Sequence, residues 1–158
     1  MRQRVDESLE TAGLSNERKR NPRHLSNGQK QLLALAGLLA MRPKYLVFDE
    51  VTSMLDSRMR KAVIGLATTL RDVHGKAIIW LTHRLDEVLY ADRVVVIDQG
   101  RIFLEGSPSQ VFAHAGQLER IGLHVPVLVA LALHLQRLGL IDQTEDFSVE
   151  GIVDCLCG

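Results

Sequence analysis

The sequence predicts an α/β fold with a mostly parallel sheet, followed by a small helical appendage. Three observations carry this. Short apolar runs at 45–48 and 77–81 flank a segment whose apolar residues repeat at helical spacing. Strand, helix, strand in that order builds a parallel pair. A third apolar run, 94–97, meets the turn dipeptide Gln99-Gly100 and then 101–104, which marks a hairpin and an antiparallel edge. Beyond Gly106 the pattern changes to helix starts at Ser107-Pro108 and Pro126.

Composition narrows the class. The 158 residues are 46% hydrophobic and 24% charged, ordinary for a globular protein with one real core. Formal net charge is zero and aromatics are 4%. Neither electrostatic capture of nucleic acid nor base stacking is supported. The longest apolar stretch, 125–133, is well short of the roughly 20 residues that a membrane span needs. The first residues, M-R-Q-R-V-D-E-S, contain no apolar signal core. Cys155 and Cys157 stand in a lone C-x-C near the end, expected as reduced thiols.

Taken in order, Val5, Leu9 and Ala12 repeat at helical spacing, and Gly13 stops that helix. The polar run S-N-E-R-K-R-N-P-R-H reads as a loop. Ser26 or Asn27 caps a second helix carrying Leu32, Leu33, Leu35, Ala36, Leu39 and Ala40. It is apolar nearly all round, so burial at an interface is expected. Arg42-Pro43 ends it. Residues 45–48 read as a strand covered on both faces. Asp56 or Ser57 caps a helix with Val63, Leu66, Ala67, Leu70 and Val73 on one face, closed by Gly75. Residues 77–81 form a second buried strand, and 85–90 one or two helical turns. After the hairpin, a helix through Leu128, Leu131, Leu135 and Leu138 ends at Gly139, its leucines expected in a core, and 148–156 forms a last helix.

Four places carry chemistry. Asp49 and Glu50 follow the first strand directly. Its C-terminal end is where open α/β sheets bind ligands. One carboxylate can hold the water shell of Mg²⁺ on a nucleotide, and the next can orient or deprotonate an attacking water. His83 closes the second strand. Parallel strands set their ends side by side, which should bring it near Glu50, where an imidazole can contact a phosphate. Ser26, Asn27, Gly28 and Gln29 open a helix, where free N–H groups and the helix dipole favour an anion. Asp56 is expected to cap the following helix. His24, His74, His114, His124 and His134 show no metal-ligand spacing.

Together, L-S-N-G-Q-K-Q, Y-L-V-F-D-E-V-T-S-M-L-D and W-L-T-H resemble the signature motif, Walker B strand, D-loop and switch histidine of ATP-binding-cassette (ABC) ATPases. The tail patterns G-S-P-S-Q-V-F, R-I-G-L-H-V-P and S-V-E-G-I-V-D-C-L resemble the C-terminal extension of the energy-coupling-factor (ECF) transporter ATPases. The resemblance implies a partial P-loop NTPase fold containing part of the helical signature subdomain. Residues 1–106 would be the C-terminal part of an ABC ATPase domain, with 1–43 the signature region and 44–106 the Walker B and switch-histidine core. Residues 107–158 would be the helical extension.

In such ATPases two subunits, alike or different, hold two ATP molecules at their shared face. The resemblance implies that Ser26, Asn27, Gly28 and Gln29 cap the partner's ATP and that Asp56 reaches toward the partner. It assigns Asp49 to Mg²⁺ through water, Glu50 to the attacking water and His83 to the γ-phosphate. It also implies a transmembrane coupling protein, a substrate-binding membrane protein, uptake of vitamins or metal ions, and a peripheral place on the cytoplasmic face of the membrane. Asn27 stands where the family usually has glycine, a place that can call for left-handed backbone. Val51 replaces the usual proline, which should loosen the loop carrying Glu50. No G-x-x-x-x-G-K-[ST] phosphate loop occurs in the 158 residues. The adenine-stacking aromatic and the glutamine loop are missing too. The expectation is a piece beginning after the glutamine loop, inactive alone, with apolar faces of both parallel strands left uncovered. The alternative is a non-hydrolytic remnant or regulatory half-subunit that lends its signature motif to a partner ATPase.

Overall fold

The computed structural model describes residues 2–142 and 144–157. It divides into two compact units, Met1–Leu81 and Thr82–Gly158.

The first unit contains helix α1 (Arg2–Thr11), short 3-10 turns at Ser15–Glu17 and Pro22–His24, helix α2 (Asn27–Ala40), strand β1 (Tyr45–Asp49), helix α3 (Ser57–Asp72) and strand β2 (Ala77–Leu81). β1 and β2 pair in parallel, with Tyr45 opposite Ala77 and Asp49 opposite Leu81. Side chains alternate across a strand, so Leu46 and Phe48 point into the core while Tyr45 and Val47 lie exposed. Phe48 packs edge-on against Trp80, with ring centroids 5.2 Å apart. Around this pair α1 contributes Leu9, α2 Leu32, Leu35 and Ala36, and α3 Val63, Leu66, Ala67 and Leu70. The α3 residues recur at i, i+3, i+4 and i+7, the single apolar stripe of an amphipathic helix.

Three expectations are corrected here. β1 is covered on one face only. Tyr45, Val47, Ile79 and Leu81 are exposed, because the layer of helices lies on one side of the pair; uncovered apolar strand faces were expected on the other count. Helix α2 buries one face rather than its whole circumference, leaving Leu38 exposed. Val73 is also exposed, because it is the C-cap of α3 and lies past the buried stripe.

The second unit contains helix α4 (Leu85–Val88), strands β3 (Val94–Asp98) and β4 (Arg101–Gly106), and helices α5 (Pro108–Phe112), α6 (Ala115–Arg120), α7 (Val127–Arg137) and α8 (Val149–Cys157). β3 and β4 form an antiparallel hairpin of their own. Among the described residues the strands thus make two two-stranded sheets, the parallel pair β1–β2 and the antiparallel pair β3–β4. Val94 and Val96 of the hairpin share a core with Val111, Phe112, Leu118, Val129, Ala132, Ile141, Phe147 and Ile152. Phe112 and Phe147 meet edge-on at 5.8 Å. Hairpin and helices share this core, and the compact units divide after Leu81. The stripe of α7 is also shifted. Val129 and Ala132 are fully buried, while Leu131 and Leu138 are exposed.

Candidate functional site

The signature residues form a tight, capped helix start. Ser26 is the N-cap of α2 in extended backbone conformation. Its Oγ accepts the Gln29 N–H at 3.2 Å, and Gln29 Oε1 accepts the Ser26 N–H at 3.0 Å. This reciprocal capping box satisfies two helix-start donors. Asn27 and Gly28 follow in the first turn, where backbone N–H groups have no carbonyl of the same helix to bond, at its positive end. Asn27 takes no left-handed φ. As the first residue of α2 it needs only helical backbone, so the departure from glycine is sterically ordinary here.

Gly28 is buried, and its missing side chain has a reason within the fold. A Cβ there would lie 2.6 Å from Met59 Cγ and 2.8 Å from Met59 Cε. Met59 belongs to the first turn of α3, and its N–H donates to Asp56 Oδ1 at 2.8 Å. Asp56 is thus the N-cap of α3, as expected. The signature turn and the Asp56 loop are therefore packed together through Gly28 and Met59.

The carboxylate pair stands at the C-terminal end of β1. Asp49 is the last residue of the strand, and Asp49 and Glu50 are both exposed. Glu50 has φ of 46°, the left-handed region that costs a non-glycine residue roughly 1 kcal/mol or more. The surrounding bonds hold it there. Glu50 N–H donates to the Leu81 carbonyl at 3.0 Å, and the Glu50 carbonyl accepts Ser53 N–H at 3.1 Å. Val51 packs against the core beside it. Leu55 N–H then bonds the Thr52 carbonyl at 3.0 Å, closing the turn that delivers Asp56. The strained residue is itself one of two adjacent carboxylates at a strand end, and backbone strain of this kind clusters at functional sites.

His83 is exposed and belongs to the second unit. Thr82 Oγ1 accepts the Arg84 N–H at 3.0 Å, closing a small turn with His83 at its tip. Leu81, two residues earlier, is the register partner of Asp49.

Sequence reasoning missed Glu17 and Met59. Glu17 Oε1 accepts from Gln29 Nε2 at 3.2 Å across 12 residues, and no local pattern signals a contact of that span. Among the described residues no group of three or more His, Cys, Asp or Glu side chains is placed to hold a metal ion. No described helix is long and apolar enough to cross a membrane.

Comparison with known proteins decides the family. Residues 1–53 match the model of the ABC transporter family. EcfA1, the energy-coupling factor transporter ATP-binding protein of Clostridium novyi (strain NT), is 41% identical over 157 residues, 99% of this chain and 56% of that protein. The chain is of the ABC transporter ATPase family. EcfA of Methanosarcina acetivorans is 46% identical over 140 residues, 89% of this chain and 50% of that protein. The chain spans about half the length of the curated ABC relatives that it matches. Among solved structures, cbiO1 of Clostridium perfringens, described as part of the ABC transporter complex cbiONQ, superposes with a TM-score of 0.68 at 36% identity. That match covers 82% of this chain and 52% of cbiO1. The ATP-binding cassette MJ0796, described as dimeric and bound to ADP and Pi after hydrolysis, matches with a TM-score of 0.59 at 29% identity. It covers 68% of this chain and 47% of the cassette. The α/β architecture is thus that of ABC ATPase cassettes.

Proposed function

We propose that this chain supplies the ATP-capping and water-activating residues of an ECF-type ABC importer ATPase. One observation carries the reading. The signature turn is assembled and packed on the Asp56 helix, in the same unit that displays Asp49 and a strained Glu50.

The residues present fit part of a nucleotide site. The Ser26 hydroxyl and the Asn27 and Gly28 N–H groups suit phosphate oxygens of an ATP held by a second ATPase subunit, identical or different. Asp49, a single exposed carboxylate, suits Mg²⁺ held through water. Bound Mg²⁺ would neutralise charge on the phosphates. Glu50 takes the proton of the attacking water. His83 contacts the γ-phosphate oxygens, and Asp56 lies toward the partner subunit. Residues 1–106 serve as the C-terminal part of the ATPase domain and 107–158 as an extension. The 158 residues alone do not turn over ATP, because they carry no phosphate loop. In the assembled importer, the ATPase pair sits peripherally on the cytoplasmic face of the membrane. There it works with a transmembrane coupling protein and a substrate-binding membrane protein that takes up a vitamin or a metal ion.

The test is Glu50→Gln in a protein that carries these residues together with a phosphate loop. Hydrolysis should fall roughly 10²–10⁴-fold, the range for loss of a general base, while ATP binding persists. Normal turnover by that variant would remove Glu50 from the chemistry.

A further inference from the structure

We propose that Glu17 is a positioning residue for the signature turn, acting through Gln29 on Ser26. The proposal rests on reading residues 26–29 as the ATP-capping motif.

Four hydrogen bonds form one chain. Arg20 Nη1 donates to Glu17 Oε2 at 3.1 Å, and Gln29 Nε2 donates to Glu17 Oε1 at 3.2 Å. Ser26 N–H donates to Gln29 Oε1 at 3.0 Å, and Gln29 N–H donates to Ser26 Oγ at 3.2 Å. The direction of each bond follows from chemistry. An ionised carboxylate only accepts, whereas a glutamine amide offers a donor at one end and an acceptor at the other. Glu17 therefore takes the NH₂ end of Gln29, and the carbonyl end must face Ser26. The reverse orientation would set oxygen against oxygen at Glu17 and donor against donor at Ser26.

The consequence falls on the Ser26 hydroxyl. Its oxygen accepts the Gln29 N–H on one of its two lone pairs, which fixes the side chain and leaves the O–H able to donate outward. Through the Ser26 N–H, Glu17 thereby steadies the backbone that carries this hydroxyl, whose O–H can meet a phosphate oxygen. A carboxylate near an anion site would repel the anion by itself. The Arg20 guanidinium on Glu17 offsets that charge. The Glu17 side chain is only 22% exposed, so water competes weakly for the bond to Gln29.

The test is amide hydrogen exchange by NMR on the 158-residue chain. In Glu17→Ala, exchange of the Ser26 backbone amide and the Gln29 side-chain amide should speed up about tenfold, as expected for one charge-assisted hydrogen bond. The Met59 amide, held by Asp56, should not change. In Glu17→Gln, the new carbonyl oxygen can still accept from Gln29, and most of the protection should return. Unchanged Ser26 and Gln29 exchange in Glu17→Ala would overturn the relay. So would a matching loss at Met59, which would mean that Glu17 supports the unit as a whole. A second arm keeps the two claims separate. If Ser26→Ala has no effect on ATP-dependent association with a complete ATPase subunit, the capping-motif reading fails, and with it the purpose assigned to Glu17. The exchange rates judge the hydrogen-bond relay independently of that result.

Discussion

Gly28→Ala should destabilise the first unit, and the loss should depend on Met59. The new Cβ would lie 2.6 Å from Met59 Cγ, 2.8 Å from Cε and 3.2 Å from Cβ, all inside the 3.4 Å at which ordinary contact begins. The methionine tail can swing away. Its Cβ can retreat only if the first turn of α3 moves, and the Asp56 cap holds that turn. Overpacking of this kind costs about 1–3 kcal/mol. Exchanging glycine for alanine in a helix returns up to about 1 kcal/mol. The net expectation is about 1 kcal/mol of destabilisation. In a Met59→Ala background the two closest clashes disappear, and Gly28→Ala should become neutral or mildly stabilising. The double-mutant coupling should then be about 1–2 kcal/mol. Urea unfolding followed by fluorescence measures this, because the single tryptophan, Trp80, packs on Phe48 inside the first unit. A Gly28→Ala protein at least as stable as the parent, with no coupling to Met59, would show that the glycine is not required by this contact.

Three further outcomes are expected. Glu50→Gly should stabilise the first unit by about 1 kcal/mol in the same urea assay, since glycine accepts φ of 46° without strain, while removing the carboxylate assigned to catalysis. Asp56→Ala should cost about 1 kcal/mol through loss of the α3 N-cap, and the Met59 amide should lose exchange protection. In the second unit, hydrogen bonds from the Ser148 side chain and backbone hold the Asp146 carboxyl below its usual value of 3.8. A depressed folded pKa contributes stability above the unfolded value and loses it as pH falls through the folded one. NMR signals of the α8 start should therefore shift only below about pH 4, and Asp146→Asn should abolish that shift.

The helix starts were the most legible features. Ser26, Asp56 and Ser107 all cap as their residue types require, and short polar side chains leave few alternatives beside an apolar stripe. The strands were found, but not their surroundings. An apolar run such as Y-L-V-F records what could be buried, and only the layers present decide whether Tyr45 and Val47 are. The hairpin was equally clear from Gln99-Gly100. Its partnership with the later helices was not, because a core shared by Val96, Phe112 and Val129 is a tertiary fact. Helix α6 escaped notice because Leu118 is its sole buried anchor and no side chain caps it. The motif residues of the candidate site stood out by type and spacing. Their supports did not: Glu17 meets Gln29, and Met59 meets Gly28, only once the loop between α1 and α2 and the turn before α3 have closed.

The most direct measurement is the association of this chain with a complete EcfA-type ATPase subunit whose own hydrolysis is blocked, followed by light scattering with and without ATP and Mg²⁺. If the signature turn caps ATP on a partner, association should require ATP, and Ser26→Arg should abolish it by filling the phosphate position. Association that is equally strong without ATP, or untouched by Ser26→Arg, would contradict the capping role at its root.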